Sequence, residues 1–116
     1  MNQEEMKERT KNFAKKVILL CRQLPPTREE RLVGGQLFRS GTSVGANYRA
    51  ACRARSKADF ISKLSIVLEE TDESLYWMEI IDESRTANSK LLPDLMQEAK
   101  ELIAIFVSSL NTAKRR

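Results

Sequence analysis

Between Arg28 and Ala54, two faces of opposite character keep step through a stretch that by itself looks like a loop. That stretch is RSGTSVGANYR, residues 39 to 49, with two glycines, two serines, a threonine and an asparagine between its arginines. At 3.6 residues per turn, Arg28, Arg31, Arg49 and Arg53 all fall within roughly 80° of Arg39 on one side of a helical wheel. Val33, Leu37, Val44, Tyr48, Ala51 and Cys52 gather on the opposite side, with Gly34 and Gly41 beside them. A loop has no reason to preserve that phase, so the spacing predicts one helix over about 28–54 that passes through Gly41 and Gly45. Each glycine costs a helix roughly 1 kcal/mol relative to alanine, which a close backbone approach to a neighbour would offset. A slight kink is expected there. Ser40, Ser43 and Asn47 lie between the two faces, where satisfied hydrogen bonds to a neighbouring helix or to backbone carbonyls are expected before any ligand contact.

The flanking sequence carries the same 3.6-residue period. Met6, Phe13, Val17, Leu20 and Leu24 share an arc over about 4–23. Pro25 and Pro26 then end that helix, and Thr27 with Glu30 reads as a capping box for the second. A similar signal, Ser56 with Asp59, opens a third helix over about 57–83, whose inward face is Phe60, Leu64, Val67, Leu68, Thr71, Leu75 and Met78. RTANSK, residues 85 to 90, is a polar break, and Pro93 suits the first turn of a fourth helix over about 91–112. Its stripe is Leu95, Ala99, Leu102, Ile103, Phe106 and Leu110, and the AKRR tail is expected to fray. No segment alternates as a strand does. The predicted class is all-α, an antiparallel up-and-down four-helix bundle forming a single domain over residues 1–116.

Composition narrows the chemistry. Hydrophobic residues make up 41% and charged residues 31% of the chain, a balance that suits a folded helical protein and not a disordered one. No apolar run has membrane-spanning length, and the polar start MNQEEMKERTKNF lacks the apolar centre of a secretory signal, so a cytoplasmic, non-membrane location is expected. The chain has no histidine, which removes Ser-His and Cys-His nucleophile pairs, histidine metal sites and the commonest general base. Cys21 and Cys52 form no CxxC pair and are expected as buried, reduced thiols. Gly41 and Gly45 do not make a phosphate loop either, since no strand precedes them and no lysine follows. No catalytic, cofactor or metal residues are assigned, and an enzyme is disfavoured.

Charge and surplus apolar surface remain to be explained. The net charge of +4 and isoelectric point near 9.3 permit binding to nucleic acid or to an acidic protein. Arg28, Arg31, Arg49, Arg53, Arg55 and Lys57 are the candidates for phosphate contacts. The third helix carries Glu69, Glu70, Asp72, Glu73, Glu79, Asp82 and Glu83, any of which could engage Arg39, and a salt-bridged or solvated face is the ordinary fate of such density. Ile66, Tyr76, Trp77, Ile80, Ile18, Leu19, Leu32 and Phe38 fall outside the core stripes, which suggests self-association. Arg39, Ser40, Ser43, Asn47, Tyr76 and Trp77 are therefore the structural or interface candidates.

RSGTSVGANYR, together with RSKADFISKLSIVLEETDESLYWMEII and the helix order, resembles the four-helix bundle proteins encoded within intervening sequences of 23S ribosomal RNA genes. Arg39, Ser40, Ser43, Ala46 and Asn47 match the second-helix signature of that family, and ADF followed by EETDESLYW matches the third. Many members carry an acidic residue near position 51, where this chain has Ala51. The resemblance implies a ring-like homopentamer without established enzyme activity. The chain is also similar to the accessory variability proteins of diversity-generating retroelements, basic pentameric bundles that bind nucleic acid and a reverse transcriptase. Two readings follow. In one, an oligomeric, non-enzymatic module binds RNA or DNA through the arginine stripe; in the other, the same arginines pair with carboxylates within or between subunits and the assembly is a scaffold for a protein partner.

Overall fold

The structure is a computed structural model that describes residues 1–84 and 89–116. Four helices follow one another: α1 (Gln3–Gln23), α2 (Arg28–Cys52), α3 (Lys57–Ser84) and α4 (Leu91–Arg115). No strand occurs among the described residues. Of the polar break over 85–90, residues 85–88 lie outside the described residues.

Each helix packs on its sequence neighbours, and α1 meets α4 through a lighter contact that closes the bundle, 47 × 21 × 20 Å in extent. Contacts across every seam run in opposite senses. Thr10 lies by Gly45 and Val17 by Gly41, Ser43 meets Glu70 and Ser40 meets Ser74, Lys57 reaches Arg116, and Arg9 and Gln23 of α1 reach Glu98 and Ser89 respectively. The bundle is therefore antiparallel and up-and-down.

One core is shared by all four helices. Phe13, Val17 and Leu20 meet Leu37 and Val44, Leu64, Val67 and Met78, and Leu95, Leu102 and Phe106, all essentially without solvent exposure. Burying each such side chain contributes roughly 1.5–3 kcal/mol, which is why the one-sided stripes of α1, α2 and α4 are drawn inward. Val33, Leu68, Leu75 and Ile103 are half-buried at the edge of this core, while Thr10, Ser74, Ile81 and Leu92 are fully buried beside it. The polar members are admitted because their hydroxyls bond to carbonyls one turn back: Thr10 Oγ1 to Met6 at 2.9 Å and Ser74 Oγ to Glu70 at 2.8 Å.

Helix ends differ in part from the sequence reading. Asn2 caps α1 by accepting from the Glu5 amide at 2.8 Å, and Ser56 accepts from the Asp59 amide at 3.0 Å before α3. Thr27 holds the N-cap position of α2 but makes no side-chain cap bond, so the capping box with Glu30 does not form; one Glu30 carboxylate oxygen is instead buried without a partner. The AKRR tail does not fray over its length, since α4 continues to Arg115. Both cysteines are free thiols and half-buried, not fully buried; Cys21 Sγ lies 3.5 Å from the Gly34 carbonyl oxygen, and burial pushes its pKa up.

Candidate nucleic-acid interface

Helix α2 runs unbroken through RSGTSVGANYR, and the reason lies on α1. A β-carbon on Gly41 would sit 2.8 and 2.9 Å from the two methyls of Val17, and one on Gly45 would sit 3.2 Å from Thr10 Oγ1 and 3.3 Å from the Thr10 carbonyl carbon. The absent side chains let the two helices approach until backbone meets side chain and backbone, which offsets the cost of helical glycine.

On its other flank α2 meets α3 through polar groups. Arg39 Nη1 donates to Glu70 Oε2 at 3.0 Å, and Arg39 Nη2 donates to Glu73. Ser43 Oγ lies 2.5 Å from the same Glu70 oxygen, and Ser40 Oγ lies 3.0 Å from Ser74 Oγ inside the core. Asn47 stays on its own helix, donating to the Ser43 carbonyl at 2.9 Å. Trp77 Nε1 donates to Glu73 Oε2 at 3.0 Å, and with Arg39 it holds the Glu73 carboxyl below the usual carboxylate range; the same carboxylates raise the pKa of Arg39. Trp77 itself packs against the core, edge-on to the exposed Tyr76 ring, with centroids 5.0 Å apart. Arg39, Ser40, Ser43 and Trp77 thus bind α2 to α3 and to the core.

The remaining arginines of the stripe do not share that fate. Arg49 and Arg53 face α1 and line a cleft of about 270 Å³ with Lys7 and Lys11, whose carboxylates are Glu4 and Glu8. Lys7 pairs with Glu4 at 3.0 Å on the exposed surface, and no ion pair holds Lys11, Arg49 or Arg53 among the described residues. The cleft continues along the seam over Ala14, Thr42, Gly45 and Ala46. Arg55, in the turn to α3, and Lys57, the first residue of α3, lie at the same end of the bundle; the Arg55 amide donates to Asp59 at 3.2 Å, and Lys57 Nζ donates to the carbonyl of Arg116.

Arg28 and Arg31 stand at the opposite end, ~30 Å away along a helix that rises 1.5 Å per residue. Arg31 donates to the Pro26 carbonyl at 3.0 Å, and Glu29 and Glu30 are its neighbours on α2. The six cations proposed from sequence are therefore not one surface: Arg49 and Arg53 share the cleft, Arg55 and Lys57 lie at the same end outside its lining, with Lys57 turned to the end of α4, and Arg28 and Arg31 stand at the other end. Two partners escaped the sequence reading. Lys7 and Lys11 stand one turn apart on the α2-facing edge of α1, a spacing that was visible once α1 and α2 were known to pack. Arg9, on the other edge, grips Glu98 with two bonds of 2.7 and 2.6 Å and reaches Glu101 at 2.9 Å, which ties α1 to α4.

A family model described as 23S rRNA-intervening sequence protein matches residues 2–108. The chain belongs to the 23S rRNA-intervening sequence protein family. Among solved structures, a protein of unknown function from the S23 ribosomal protein family of Bacteroides thetaiotaomicron superposes on this family member with a TM-score of 0.86 and 32% identity, covering 96% of this chain and 99% of that one. No curated protein matches it. Among the described residues of this 23S rRNA-intervening sequence protein, no helix is long and apolar enough to cross a membrane, and no group of histidine, cysteine and carboxylate side chains could hold a metal ion.

Proposed function

We propose that the protein is a non-enzymatic, homo-oligomeric bundle that binds nucleic-acid backbones through the cations at the α2–α3 end, with Arg49 and Arg53 at their centre. The observation that carries this reading is the division of the α2 stripe. Arg39 is occupied by Glu70 and Glu73, whereas Arg49 and Arg53 line a cleft whose other wall carries Lys7 and Lys11 beside Glu4 and Glu8, and no ion pair holds either arginine among the described residues. Exposed guanidinium groups on a rigid helix suit phosphates, which contribute affinity without sequence information and release counterions on binding. Self-association is supported by the exposed Leu32, Phe38, Ile66 and Tyr76, two of them aromatic, and the family resemblance suggests a pentamer.

The pairing of Arg39 favours a second reading, in which the assembly is a scaffold and its arginines serve packing alone. The two readings part on the variant Arg49→Gln/Arg53→Gln. Nucleic-acid binding measured by fluorescence anisotropy across a salt series is expected to weaken, with the slope of log affinity against log salt reduced by about one for each lost phosphate contact. Light scattering is expected to show the native oligomer intact. Unchanged binding by an intact oligomer would overturn the proposal, and dissociation of the oligomer would favour the scaffold.

A further inference from the structure

We infer that the seam between α1 and α2 is a two-walled seat for the sugar–phosphate ridge of one nucleic-acid strand, with Lys7 and Lys11 of α1 as its second wall. This rests on the phosphate-binding reading of Arg49 and Arg53 and adds a site, a direction and two residues to it. Lys7 and Lys11 are four positions apart on one helix, and Arg49 and Arg53 are four apart on the other, so each wall presents its charges at a rise of ~6 Å. That is comparable to the separation of successive phosphates along a strand. Because α1 and α2 are antiparallel and Gly45 lies against Thr10, the two rows run side by side at the same end of the bundle. The cleft continues over Ala14, Thr42, Gly45 and Ala46, a row of small residues that leaves room for a backbone to lie close.

The lining also says what the seat does not take. This part of the cleft has no aromatic platform for stacking bases and no deep apolar pocket to anchor a protein side chain. Recognition there reads the backbone and leaves the bases outside, so single strands and duplexes share the relevant chemistry. Glu4 and Glu8 line the same α1 wall, and Lys7 is paired with Glu4, a contact that a phosphate on Lys7 has to replace; Lys11 has no such pair among the described residues.

The test uses the full chain with a short labelled single strand and, separately, its duplex. Ala46→Glu places a carboxylate in mid-cleft at an exposed helical position and removes no cation; it is expected to lower affinity by at least about tenfold. Lys11→Gln is expected to weaken binding and to lower the salt slope by about one. Lys15→Gln, which removes an exposed charge outside the cleft, is expected to leave both unchanged. Loss in either probe supports the seat and identifies the nucleic acid that uses it. Wild-type binding by Ala46→Glu and Lys11→Gln would overturn the seat, and it would leave the α2 reading standing if Arg49→Gln/Arg53→Gln still weakened binding; no effect of that double variant would remove both. An equal loss in Lys15→Gln would show diffuse attraction and overturn the seat, as would competition by polyglutamate as effective as by unlabelled strand.

Discussion

The two flanks of α2 solve the same packing problem in opposite ways. Towards α1 it approaches through Gly41 and Gly45, with hydrocarbon and backbone in contact and its cations unpaired above the seam. Towards α3 it approaches through Ser40, Ser43 and Arg39, each within hydrogen-bond distance of a polar group on the facing helix. Arg39 and Arg49 lie within roughly 80° of each other on one helical wheel. What separates them is the neighbour: α3 holds Arg39 with Glu70 and Glu73, whereas α1 faces Arg49 with Lys7 and Lys11 as well as Glu4 and Glu8, and none of these carboxylates pairs with it. A helix fixes where its own charges point, and the facing helix decides whether they are spent on structure or left available.

The contrast can be broken most forcefully at Gly41. Gly41→Ala forces a methyl against the buried Val17 side chain, and urea unfolding is expected to show a loss of about 1–3 kcal/mol despite the better helix propensity of alanine. Gly35, where a β-carbon would meet nothing within 4 Å, gives the opposite sign: Gly35→Ala is expected to gain up to about 1 kcal/mol. On the polar flank, Ser74→Ala removes the hydroxyl that meets Ser40 in the core and is expected to cost about 1 kcal/mol, since Ser40 keeps its bond to the Gln36 carbonyl.

A smaller effect tests the charge itself. The pKa of Glu73 is depressed in the folded protein, first by the Trp77 indole and then by Arg39, so its stabilisation is present above the unfolded carboxylate range and is lost as pH falls through the depressed value. Trp77 is the chain's one tryptophan, and its fluorescence should therefore titrate with Glu73. The acid midpoint is expected below the ordinary glutamate range and should move upward in Arg39→Gln; an unmoved midpoint would mean that Arg39 does not hold this carboxylate in solution. Smallest of all, Arg49→Gln and Arg53→Gln are expected to leave the unfolding midpoint within about 0.5 kcal/mol of the parent. A larger loss would place these arginines on the structural side of the comparison.

Much of the fold was legible because burial selects for period. Phe13, Val17, Leu37, Val44, Leu64, Leu102 and Phe106 are where their stripes put them, and the constant phase across Gly41 and Gly45 was enough to recognise a helix. Side chains whose role depends on a second helix were less legible. Thr10 and Ser74 lie within about 20° of their stripes on a helical wheel but are polar residue types, and they are buried because a helix can satisfy a hydroxyl with its own carbonyl. Thr27 and Glu30 have the spacing of a capping box without forming one, since spacing does not fix a rotamer. Lys7 and Lys11 could be found only after α1 and α2 were laid side by side, and Arg28 and Arg31 left the group once the length of α2 was measured out.

That length has a physical consequence. Cations gather where α2 ends and α4 finishes with Lys114 and Arg115, while Glu29, Glu30, Asp82 and Glu83 lie towards the other end. The elongated molecule is therefore an electric dipole along its long axis, and an approaching polyanion exerts a torque on it as well as an attraction. At physiological ionic strength screening confines that torque to about 8 Å, so reorientation belongs to the last moments of an encounter. Dilute salt lengthens its reach, and association rate constants should rise as copies and polyanions begin to align before they touch.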